Sequence, residues 1–78
     1  MITPPFKERI IREIGKQYTR KIIARLNAEG IVNADGNPYS PDSVRKIVDG
    51  RENLEVEAVI LKLLKELERK RKKIEAAA

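Results

Sequence analysis

The sequence contains no cysteine, no histidine and no tryptophan in its 78 residues. Without cysteine there is no disulfide staple and no thiolate zinc site. Without histidine there is no imidazole metal ligand and no Ser-His-Asp or Cys-His nucleophile. No glycine-rich phosphate loop occurs, and the acids are scattered, with no apolar cleft to raise a pKa. No catalytic residue is therefore expected. Aromatics are scarce: Phe6, Tyr18 and Tyr39 are the whole set, too few for the stacked platforms that hold single-stranded nucleic acid. The longest apolar run is Ala58 to Leu61, too short for a bilayer span or a signal-peptide core. These absences lead to the expectation of a non-enzymatic cytoplasmic chain, with no metal, no small-molecule cofactor and no membrane partner.

What is present is charge. Seventeen Lys and Arg stand against twelve Asp and Glu, giving a net charge of +5 and a pI near 9.7. The excess sits at the two ends. Residues 1–30 carry seven bases and three acids, and residues 54–78 seven bases and five acids, while residues 31–53 are slightly acidic. Such a balance points first to a polyanion, nucleic acid or an anionic membrane surface. With 41% hydrophobic residues, the chain has enough apolar side chains for one small core, so a single domain over 1–78 is expected.

The periodicity predicts an all-α domain of four helices. The first spans about 5–17, with Thr3 as N-cap, Pro4 and Pro5 at its start, and Phe6, Ile10, Ile11 and Ile14 at helical spacing. The second spans 19–29, with Thr19 as cap, Ile22, Ile23 and Leu26 inward, and Gly30 as a left-handed stop. A long hairpin-like loop follows, in which Asp35-Gly36 is a turn dipeptide between residues able to pair as two very short strands. Asn33, Asp35 and Asn37 imitate the start of a calcium loop. Pro38 and Val44 occupy the positions that need glycine and glutamate, which excludes calcium. Ser40, Pro41 and Asp42 begin a short helix over 41–49 that ends at Gly50. Asn53 caps the last helix, 54–73, with its stripe of Val56, Val59, Ile60, Leu63, Leu64 and Leu67. Its basic end, 69–73, has the charge to dock on phosphates, on anionic lipid or on an acidic partner, and reads first as a solvated terminus matched to the helix dipole.

The helix at 41–49 is too short and too polar to serve the core alone. At 100° per residue, Val44, Ile47 and Val48 share one face, Asp42, Lys46 and Asp49 project opposite, and Ser43 and Arg45 lie on the flanks. A narrow apolar seam with an open polar face suits insertion in a major groove. The preceding helix would then cross the backbone, its free N–H groups beside Thr19, Arg20 and Lys21 offering a phosphate site. Tyr39 is expected to close a small core under the loop, with its hydroxyl within reach of a phosphate.

The run Ser40-x-x-x-Val44-x-x-Ile47-Val48-Asp49-Gly50-Arg51, followed by Asn53 and an aliphatic helix, resembles the recognition helix of small helix-turn-helix repressors, both the Cro-like phage kind and the lac-repressor headpiece kind. Residues 23–31, Ile-Ala-Arg-Leu-Asn-Ala-Glu-Gly-Ile, with 35–40, Asp-Gly-Asn-Pro-Tyr-Ser, are similar to the C-terminal DNA-binding segment of the large serine recombinases. The resemblance implies double-stranded DNA as partner. Lys46 and Asp42 fall at base-reading positions, Ser43 sits beside them at a base edge or a phosphate, and Arg45 and Arg51 fall on phosphates. The connection between the second and third helices is longer than the three or four residues of the standard motif, which lets Asn37 and Tyr39 approach the DNA. The resulting expectation is a small prokaryotic or phage transcriptional regulator, nucleoid-associated and binding as a homodimer. The competing expectation is a helical protein-interaction or self-assembly module using helix 54–74.

Overall fold

A computed structural model describes residues 1–77, in which four helices follow one another: α1 (Pro4–Ile14), α2 (Tyr18–Ala28), α3 (Pro41–Val48) and α4 (Leu54–Ala77). No strand occurs among the described residues. The domain is all-α, as the periodicity predicts. The 24-residue α4 is about 36 Å long at 1.5 Å per residue, and it sets the long axis of a molecule measuring 46 × 27 × 19 Å.

Ion pairs fix how the helices run. Arg25 forks onto Glu66 at 2.6 and 2.7 Å, and Glu29 meets Lys62 at 3.4 Å, so α2 runs antiparallel to α4. The Met1 amino group meets Glu57 at 2.8 Å and Glu13 meets Arg71 at 3.4 Å, so α1 runs parallel to α4. Between them lies a wholly apolar core. Ile10, Ile14, Ile22, Leu26, Val44, Ile47, Val48, Val56, Val59, Ile60 and Leu64 are buried along with Ile2, and no polar or charged residue is buried with them among the described residues. Three of these twelve come from α3, whose seam of Val44, Ile47 and Val48 packs mainly against α2.

Several boundaries move from the sequence expectation. α1 stops at Ile14, not near 17, because Gly15 adopts φ 103° and ψ −176°, a conformation essentially confined to glycine. Thr3 occupies the N-cap position but its hydroxyl caps nothing. α2 begins at Tyr18 with Gln17 as its uncapped N-cap residue, so Thr19 lies inside the helix and is not the cap. α2 does end as expected, in a Schellman motif. Gly30 takes φ 70°, its N–H donates to the Asn27 carbonyl, and the Ile31 N–H donates to that of Leu26.

The paired strands expected around Asp35-Gly36 do not form. The Asn33 N–H donates to the Asn37 carbonyl at 2.8 Å, and the Asn33 side-chain oxygen accepts from the N–H groups of Asp35 and Asn37 at 2.9 and 3.0 Å. Pro38 has no N–H to extend a ladder. Two residues later Ser40 is already the cap of α3. A self-closed asparagine turn takes the place of the hairpin.

Candidate nucleic-acid interface

α3 begins as its sequence dictates. Ser40 is extended (φ −86°, ψ 159°), and its hydroxyl accepts from the Ser43 N–H at 3.2 Å. Pro41 follows in the first turn, where a missing N–H costs nothing. The helix ends in a second Schellman motif, the Gly50 N–H donating to the Ile47 carbonyl and the Arg51 N–H to that of Lys46. Both ends are thus fixed by local chemistry, and the three-residue seam fixes which way the helix faces.

The outward side is open. Asp42, Arg45, Lys46 and Asp49 are all exposed, while Val44, Ile47 and Val48 are buried. The acids on this face are not bare. Asp42 lies 3.6 Å from the Arg45 guanidinium. Asp49 accepts a hydrogen bond from the Lys7 ammonium of α1, a contact that raises the Lys7 pKa. Lys46 forms no ion pair among the described residues and stands as the uncompensated charge at the middle of the face. Ser43, half-buried, accepts from the Ser40 hydroxyl at 3.0 Å, so its side chain is engaged at the helix start.

Apart from Arg45, the anchors expected to meet phosphates lie on the segments flanking α3 and in the first turn of α2. Arg51 is exposed just past α3. Arg20 is exposed and Thr19 half-buried in the first turn of α2, a turn that contains no acid and has no side-chain cap. The Lys21 ammonium donates to the Ile14 carbonyl at 3.0 Å. It thereby satisfies the C-terminal end of α1, a role with no signal in the sequence. Tyr39 is half-buried against the core, and its hydroxyl accepts from the Asn53 side-chain amide at 3.0 Å. It ties the loop to the start of α4. A cavity of about 310 Å³ opens at this junction, lined in part by Asn33, Tyr39, Ser43, Arg51 and Asn53. Asn37, expected to approach DNA, is exposed, its N–H and carbonyl spent on the Asn33 turn.

Lys7 is the residue that sequence reading missed. It sits 42 positions from Asp49, and nothing in local spacing marks such a pair. Comparison of the chain with known protein families, curated proteins and solved structures finds no match.

Proposed function

We propose that the protein binds double-stranded DNA by inserting α3 in the major groove, with Lys46 at its centre and Asp42 and Ser43 at the leading end. Arg45 and Arg51, together with Thr19, Arg20 and Lys21 at the start of α2, hold the flanking phosphates. The observation that carries this reading is the two-sidedness of α3: a fully buried seam and a polar face that stays exposed among the described residues, with Lys7 of α1 reaching Asp49 at its end. A groove contact needs both, because the seam sets the tilt and the open face reaches base edges. The net charge of +5 supplies the sequence-independent attraction. In this reading the protein is a small nucleoid-associated regulator of the prokaryotic or phage kind, and two copies on a two-fold site raise the affinity of so small a module.

The test is duplex binding across a salt series. Affinity falls with a log–log slope of about −0.9 for each phosphate neutralised. Lys46→Ala lowers discrimination between selected and random duplexes by about 1–3 kcal/mol, whereas Arg20→Ala weakens all duplexes alike. Equal affinity of the Lys46 variant for every sequence that the parent discriminates supports the reading; unchanged discrimination overturns it.

One observation favours the competing reading, assembly through α4. Leu61 and Met1, 42% and 72% exposed, line an apolar recess of about 270 Å³ that also touches Phe6 and Glu57, and Leu54 at the start of the same helix is 71% exposed. An oligomer that dissolves on Leu61→Lys while the fold persists, with no duplex binding at low salt, selects this reading.

A further inference from the structure

From Glu68 to Ala77 every residue of α4 is exposed, yet the helix continues. Its sequence there is Arg69-Lys70-Arg71-Lys72-Lys73 followed by Ile74. Two of the five bases are engaged. Arg71 reaches Glu13 of α1 at 3.4 Å, and Lys72 reaches Glu68 at 3.7 Å. Arg69, Lys70 and Lys73 form no ion pair among the described residues. At 100° per residue these three fall within one 100° arc, which also contains Lys62 and Glu66. Those two residues meet Glu29 and Arg25 of α2, so the arc is the side of α4 that looks toward α2.

Register says what lies opposite. Arg25 pairs with Glu66 and Glu29 with Lys62. Continuing that antiparallel register sets Lys21 level with Lys70 and Tyr18 level with Lys73. The α1–α2 corner is at this same end, because Glu13 holds Arg71 and Lys21 holds the Ile14 carbonyl. From Lys16 to Ala28 the chain contains four bases and no acid. The acids nearest the tail, Glu13, Glu66 and Glu68, are all already paired, Glu66 with Arg25 while also feeling the charge of Lys70, and Glu75 lies beyond it.

We propose that the free turns of α4 and the start of α2 form one basic surface, Lys21 with Arg69, Lys70 and Lys73, that docks on the phosphate backbone of duplex DNA beside the groove entered by α3. Charge complementarity selects the occupant. Like charges at i,i+4, as in Arg69 and Lys73, oppose one another in an isolated helix, and a phosphate row relieves that repulsion. This inference rests on the DNA reading above and extends its footprint to a second, sequence-independent contact.

The experiment compares the full chain with the triple variant Arg69→Gln, Lys70→Gln, Lys73→Gln, and with Lys72→Gln, which lies off the arc, on one selected and one random duplex across a salt series. All substituted positions lie outside the packed body, and circular dichroism checks that helicity persists. The triple variant is expected to flatten the log–log salt slope by about 0.9 for each phosphate it no longer neutralises, on both duplexes equally, with discrimination intact. Lys72→Gln leaves the slope near that of the parent. Amide exchange at residues 68–77 slows when duplex is added. A slope unchanged in the triple variant, or one reduced as much by Lys72→Gln, overturns the proposal. So does retention of the parent but not the triple variant on phosphatidylserine vesicles with the DNA slope unaltered. Loss of discrimination in Lys46→Ala is read independently, so the α3 reading and the tail reading fail separately.

Discussion

At the scale of single residues, the Lys7–Asp49 contact changes how the outer face of α3 is understood. Two acids on a surface proposed to meet a polyanion are a conflict in the sequence. In the fold each acid has a cation, Arg45 for Asp42 and Lys7 for Asp49. If α3 meets DNA, Lys7→Ala weakens duplex binding by leaving Asp49 uncompensated, and Asp49→Asn strengthens it. The double variant then behaves like Asp49→Asn alone, an equality that a binding cycle measures directly. Gly15 makes a different kind of prediction. Its backbone lies where side-chain-bearing residues are strained, and a Cβ there meets no atom within 4 Å. Gly15→Ala therefore destabilises through backbone strain alone, by about 1–3 kcal/mol in denaturant melts. In the sequence Gly15 falls inside the helix expected over 5–17, where glycine costs about 1 kcal/mol relative to alanine; its true position, at the corner before α2, depends on a dihedral angle that composition does not encode.

At the scale of elements, α3 and the start of α4 are legible because their stop and start signals are side chains with local targets. Ser40, Pro41, Gly50 and Asn53 each act within a few residues of themselves. Asn53 is the clearest case. Its side-chain oxygen accepts from the Val56 N–H at 3.1 Å, and its own N–H donates to Glu57 at 3.1 Å. Its side-chain amide also donates to Tyr39, so it caps a helix and fastens a loop at once. Asn53→Ala should cost about 1 kcal/mol for the cap, whereas Tyr39→Phe, which leaves the cap intact, isolates the loop contact. Chemical denaturation of the two single variants and the double separates these contributions. The beginning of α2 is less legible. Thr19 has the chemistry of a cap, but the three-residue turn from Gly15 carries the chain into helix at Tyr18, ahead of it. The connection before α3 departs from its sequence pattern for a related reason. A turn dipeptide suggests a hairpin, yet Asn33 closes the segment on itself with one side chain, and that competition between side-chain and backbone acceptors is invisible to pattern alone.

At the scale of the whole molecule, the apolar stripes of the four helices predict every core residue but Ile2, although Ile11, at helical spacing in α1, is exposed. The cross-helix ion pairs are not predictable in this way, because they join residues far apart in the sequence, from 33 positions for Glu29–Lys62 to 59 for Arg9–Glu68. They leave a signature in acid. The Arg25 guanidinium holds Glu66 and Glu29 below the usual carboxylate range, and the Met1 amino group does the same for Glu57. As pH falls, the unfolded chain takes up protons first, near a carboxylate value of about 4.3. Stability that these contacts contribute is complete above that value and drains away as pH drops through the lowered folded values. Urea midpoints followed from about pH 7 to about pH 3 should decline on the acid side, and Glu66→Gln should flatten that decline. Leu26→Ala and Leu64→Ala, both at 0% exposure, should each cost about 2–5 kcal/mol at any pH. Among the described residues the core encloses no polar side chain, so its packing does not depend on the identity of Asp42, Arg45 or Lys46. The lettering on the outside of α3 is thus free to be rewritten without disturbing the oil beneath it, and a library varied at those three positions alone should yield folded proteins which, if α3 meets DNA, differ in the duplexes they select.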